Sequence, residues 1–250
     1  MSELLFYRGL VALHRESHRN LKFSPCSNYR FSIAVNSVPL TGVEFFEASR
    51  DLPILFSCSD AKRYSPLALL SLSNHGHGLV DEEGRWRGSY VPAFIRRYPF
   101  AMKDGETVCI DFEASHFSEE EGEPLFDDRG ENSKALNEIL RFLEHYEASC
   151  ERTREFCRQL SAAGLFKPFN IQVIAGNGKP VRLDGLYVID EARLRDVDQE
   201  QVYRLFKSGE LAWIYAHLHS LGALKGLAKR QEQDVALGQA KEKAQTGALN

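Results

Sequence analysis

The chain has 250 residues, 43% of them hydrophobic and 26% charged, with a formal net charge of −4. That is enough apolar material for a sizeable core, arranged as one large domain or two small ones. The mild acidity gives no global pull toward nucleic acid or anionic lipid, and no apolar run approaches the roughly 18 residues of a membrane span.

In chain order, residues 1–36 read as irregular and extended, closing on a strand near Tyr29–Val35. Met1–Leu13 is apolar, but Glu3 and Arg8 interrupt it. It carries neither a basic leader nor a small-residue cleavage site, which argues against a secretory signal. Thr41 followed by Glu44 is a capping-box pattern that opens a short helix, with Phe45, Phe46 and Ala48 on its apolar side. Ile54–Cys58 and Leu67–Leu72 are short apolar runs bounded by turn residues, as buried strands are. Asn74–Gly78 reads as a turn, and the Glu82-Glu83-Gly84 corner as a hairpin. Pro92 sets a first helical turn that stops before Pro99. Thr107–Phe112 is a further strand.

Ser118–Glu131 is strongly acidic and reads as a wet surface loop pinned by Pro124-Leu125-Phe126, or as a strap that neutralises Arg96 and Arg97. Ser133 caps a long helix whose stripe runs Leu136, Ile139, Leu140, Leu143, Tyr146, Cys150, Thr153, Cys157 and Leu160, ending at Gly164. Ile171–Ala175 and Val181–Ile189 are strands around a Gly176–Lys179 turn. Short helices follow near Glu191–Arg195 and from Asp198 to Gly209, then a last long helix from Glu210. From Gln231 the pattern is polar, and a fraying tail is expected. The fold class is therefore α+β: mostly antiparallel sheet in the N-terminal half, with long helices from the C-terminal half packed on one face of it. We read residues 1–230 as a single domain, with 1–132 strand-rich and 133–230 helix-rich subdomains as the alternative division, and residues 231–250 as the tail.

Chemistry is sparse. The five cysteines (Cys26, Cys58, Cys109, Cys150 and Cys157) include no CxxC pair and read as reduced core thiols, which fits a reducing, cytoplasmic setting. His75 and His77 share a glycine-rich turn without a third ligand. His217 and His219 sit about 200° apart on a helix and cannot share an ion. No metal or cofactor is expected. There is no Gly-x-Ser-x-Gly, no phosphate cradle and no acid pair of catalytic spacing, so no catalytic residue is assigned. What stands out is Tyr90–Phe100, where Arg96 and Arg97 lie inside an aromatic and aliphatic run between two prolines. An arginine keeps its charge at any working pH, so a buried one needs a carboxylate or an anion. The candidate binding residues are Arg96, Arg97 and Tyr98, joined by Tyr215 and His217 from the last helix.

The chain resembles the SapC family. The resemblance is carried by Asn36–Leu40, Glu44-Phe45 and Ala48–Phe56, by Tyr90–Phe100 and Pro124–Asp127, and by Glu151–Cys157, Val188–Glu191 with Leu194, and Ile214–Leu218. It spans roughly residues 7–227. It implies an accessory or protein-interaction role in a bacterial envelope, surface-layer or peptide-modification system, and it brings no catalytic set with it. The expected partners are another protein, or an anionic small molecule or peptide held at Arg96 and Arg97, and not nucleic acid. Envelope association would then require a signal-free route of export.

Overall fold

The computed structural model describes residues 5–25, 28–72, 76–174 and 180–230. Among them are three antiparallel sheets. The largest is built from β3 (Ser37–Pro39), β4 (Ile54–Cys58), β5 (Tyr64–Leu69), β10 (Phe166–Ile174) and β11 (Pro180–Ile189), in the order β10-β11-β4-β5-β3. A second sheet joins β1 (Leu10–Ala12), β7 (Thr107–Asp111) and β6 (Phe100–Lys103). A third, small one brackets β2 (Lys22–Phe23) between β8 (Phe117–Ser118) and β9 (Glu123–Pro124). The helices are α1 (Phe45–Ala48), α2 (Ala93–Arg96), α3 (Lys134–Ala162), α4 (Glu191–Arg195), α5 (Gln199–Ser208) and α6 (Glu210–Ser220). None is long and apolar enough to cross a membrane.

The mixed α+β class and the long helix in the C-terminal half are as the sequence implies. The sheet is not confined to the N-terminal half, however: β11 pairs with β4 through Tyr187 and Phe56, so the β10–β11 hairpin extends the first half's sheet. Both faces of that sheet are covered. Along β4, Ile54 and Phe56 enter the main core with Phe45, Phe156 and Ile214, while Leu55 points to the opposite face with Leu69, Val188 and Leu227. Period-two alternation delivers one strand to two cores. The helical residues 223–230 close the second face.

Two local expectations are corrected. Tyr29–Val35 is not a strand, because Arg30–Ser32 forms a 3-10 turn. The Ser32 hydroxyl donates to Tyr29 O at 2.7 Å beside the backbone bond from Ser32 N, the local competition by which serine diverts chain from extended structure. Strand β5 begins at Tyr64, not Leu67, and includes Pro66. Leu40 N donates to Pro66 O, so the missing proline donor falls where β3 has already ended.

The capped helices follow local rules. Ser133 Oγ accepts from Leu136 N at 3.1 Å at the start of α3, and Asp198 accepts from Gln201 N at 2.9 Å at the start of α5. Gly209, at φ +78°, ends α5 and turns the chain into α6. The Gly176–Lys179 turn, Asn74, His75, Cys26 and residues 231–250 lie outside the described residues.

Candidate functional site

Helix α2 presents Arg96 and Arg97, and a buried carboxylate fixes it in place. Glu44 is 5% exposed. Its Oε2 accepts from Thr41 N and Thr41 Oγ1, both at 2.8 Å, completing the local cap. Its Oε1 accepts from the Tyr90 hydroxyl at 2.9 Å and from Ala93 N at 2.7 Å. One carboxylate thus joins the α1 turn to the first residue of α2. Asp111, fully buried at the end of β7, does the same on the other side of Tyr98. It accepts from Gly9 N at 2.9 Å, Arg8 N at 3.1 Å and the Tyr98 hydroxyl at 3.0 Å.

Between these anchors the two arginines part company. Arg96 is exposed; it donates to Val91 O at 3.0 Å and to the Tyr90 hydroxyl at 3.1 Å, and lies over the Phe142 ring at 5.3 Å. Arg97 is 4% exposed. Its guanidinium carbon sits 4.3 Å from the Phe94 ring centre, 5.1 Å from Tyr146 and 6.0 Å from Tyr7. Its carboxylate partner is Glu147 on α3, reached by Nη1 at 4.0 Å. Nε and Nη2 are buried without a hydrogen-bond partner. The carboxylate that pairs with Arg97 is therefore not from the acidic run, of which Glu123 reaches the lining of a cavity shared with both arginines.

Arg97 lines two cavities. The larger, about 590 Å³, lies between the β3–β5 end of the main sheet and α3. Pro39, Leu67 and Phe94 give it apolar wall, while Tyr146, Glu147 and Arg154 add polar groups. Arg154 is itself engaged by Glu151 at 2.9 Å. Cys150 also faces this space, and burial pushes its thiol up to about 11. Burial pushes the Tyr7 hydroxyl up to about 12 against the pull of Arg97, and raises Tyr146 well above its ordinary value. At neutral pH these are neutral groups around a cation. The smaller cavity, about 450 Å³, is lined by Arg96, Arg97 and Tyr98 together with Phe31, Phe142 and His116.

The structure thus brings Arg96, Arg97 and Tyr98 to one cavity, and Arg97 to both. It does not bring Tyr215 or His217 to either. Tyr215 is 57% exposed on α6. His217 is fully buried: Ile189 N donates to its Nε2 at 3.1 Å, and its Nδ1 lies 2.9 Å from Ile54 O, which pins α6 to β11 and β4. Burial pushes this imidazole down to about 4. His77 is likewise enclosed, with Leu79 N donating to Nδ1 at 3.2 Å and Ser32 Oγ 3.3 Å from Nε2. Among the described residues, no group of three histidine, cysteine or acidic side chains could hold a metal.

Sequence reasoning missed Glu44, Asp111, Tyr146 and His116 as parts of this neighbourhood. Glu44 was legible only as a local cap. The signal for Asp111 was a charged residue closing the apolar run Val108-Cys109-Ile110.

Fold and site together define a mixed α+β protein with an arginine-walled cavity between its main sheet and its longest described helix. The chain belongs to the SapC family, whose model matches residues 13–227. No curated protein and no solved structure matches it.

Proposed function

We propose that this SapC-family protein is a binding protein for an amphipathic anion, with Arg97 gripping the acidic group and the Phe94–Leu67 wall taking the apolar part. The observation that carries the reading is Arg97 itself, a buried guanidinium on a 590 Å³ cavity with two unpartnered nitrogens and one carboxylate 4.0 Å away. Each buried donor left unpaired costs about 1–3 kcal/mol, and a carboxylate bonded to a guanidinium recovers that cost with bidentate geometry. A cavity of this size falls within the range of small-molecule sites. Cys150 supports binding over covalent chemistry, since a thiol held at about 11 is scarcely ionised at neutral pH. In the cell this amounts to an accessory role, one that suits an envelope or peptide-modification system in which an acidic peptide or small molecule is held for another protein.

The test is isothermal titration with octanoate, a carboxylate with an apolar tail, against the parent protein and Arg97→Met. Binding to the parent that weakens about tenfold or more in the variant supports the reading. Equal affinity in both, or no binding to either, ends it.

A protein-docking role is a second reading. It is favoured by Phe46, Tyr203, Phe206 and Tyr215, which stand 56–67% exposed on α1, α5 and α6. A partner isolated from native cells with the parent protein should be lost with the double variant Phe46→Ser, Tyr215→Ser if that surface holds it.

A further inference from the structure

The smaller cavity carries an observation independent of Arg97. His116 is 6% exposed, and its Nδ1 is buried without a hydrogen-bond partner. Its ring is enclosed by others: it stacks on Phe23 at 6.3 Å with an interplanar angle of 8°, and meets Tyr98 edge-on at 5.3 Å and Phe31 at 6.1 Å. A buried polar atom without a partner is rare in a folded protein and costs roughly 1–3 kcal/mol. This one belongs to a residue that lines a cavity of about 450 Å³.

We infer that this cavity is a second binding site, separate from the anion cavity, for a neutral ring compound bearing one hydrogen-bonding group such as a hydroxyl or a ring N–H. The ring preference comes from the walls. Phe23, Phe31, Tyr98, Phe100 and Phe142 supply flat apolar surface on several sides, where offset and edge-on ring packing is favourable. The guanidinium of Arg96, 5.3 Å from the Phe142 ring centre and bonded to Val91 O and Tyr90, extends this wall. The neutrality comes from the charges. The lining holds two cations, Arg96 and Arg97, and two carboxylates, Glu123 and Glu138, so its formal charges sum to zero and neither sign of ligand is selected overall. The imidazole is itself held neutral, since burial lowers its pKa against the opposing pull of Asp111. A neutral imidazole nitrogen either gives or accepts one hydrogen bond, according to its tautomer, and that fixes the single polar contact the ligand must offer.

Phenol is the probe, since it has one ring, one hydroxyl and no charge at neutral pH. In the full-length protein with isotope-labelled histidine, phenol should shift the assigned His116 ring resonances saturably and leave those of His217 in place. His116→Phe should bind phenol about tenfold more weakly, and His116→Asn, which keeps a hydrogen-bonding atom near the Nδ1 position, should recover part of the loss. An unmoved His116 ring up to the solubility of phenol, or an equal affinity in His116→Phe, overturns the inference. If the phenylalanine variant does not fold, the titration of the parent protein decides alone. The readout sits on His116 and on an uncharged probe, so it stands whether or not octanoate binds at Arg97.

Discussion

Methionine in place of Arg97 would keep an aliphatic stem against Phe94 and Tyr146 and remove the guanidinium. The Glu147 carboxylate left behind is 31% exposed and can remain in water. Replacing a buried, poorly paired ion with an apolar group of similar length is neutral or stabilising by about 1–4 kcal/mol. The melting temperature of Arg97→Met should therefore hold or rise while octanoate binding falls. A collapse on thermal denaturation would instead make Arg97 a structural pin. Gly42 is the opposite kind of residue. A Cβ there would lie 2.2 Å from the Trp213 ring, and that ring is clamped by Phe45, Phe156 and Arg152. Gly42→Ala should cost about 1–3 kcal/mol by overpacking, read as a lower urea midpoint with an unchanged slope. The thiols are quiet for a related reason: burial holds Cys150 at about 11 and Cys157 at about 12. Cys157, 2% exposed, should react with Ellman's reagent at pH 8 only as fast as the protein unfolds, whereas Cys150, which faces the larger cavity, should react faster than that though more slowly than a free thiol.

Among the elements, α2 depends on a carboxylate from elsewhere in the chain. Four residues make a helix too short to hold itself, so Glu44 supplies the bond to Ala93 N that starts it. Glu44→Gln keeps the shape but turns one oxygen into a donor that faces donors. The expected cost is about 2 kcal/mol in chemical denaturation, with weaker octanoate binding because Arg97 shifts with α2. Elements with local signals were readable from the chain. Ser133 and Asp198 cap α3 and α5 as their sequences imply, since a cap is settled within one helical turn. The Arg30–Ser32 turn and the start of β5 were not. Apolar alternation over Tyr29–Val35 resembles a strand until the Ser32 hydroxyl takes Tyr29 O, and Pro66 looks like a strand breaker until the length of β3 is known.

For the whole molecule, acid should be the weak point. His217 and His77 are both pushed down to about 4 by burial, from an ordinary value of 6.5. Between those values the unfolded chain binds protons that the folded chain refuses. Their contribution is fully present above about pH 6.5 and is lost as the pH falls toward 4. Each is worth at most on the order of 3 kcal/mol. Urea midpoints should drop over that window, and the drop should be smaller in His217→Phe. That variant starts from lower stability, because Ile189 N and Ile54 O lose their partner.

The sequence by itself determined the class, the family resemblance and the capped helices, and it singled out the segment around Arg96 and Arg97, because each is written in neighbouring residues. Only the tertiary structure decided which arginine is buried, that its carboxylate is Glu147 and not the acidic run, and that Glu44 and Asp111 hold the segment in place. It also separated His217 and Tyr215 from both cavities. The physical reason is that burial and pairing depend on which distant chain segments arrive at a point in space, and adjacent residues with the same charge can meet opposite surroundings there.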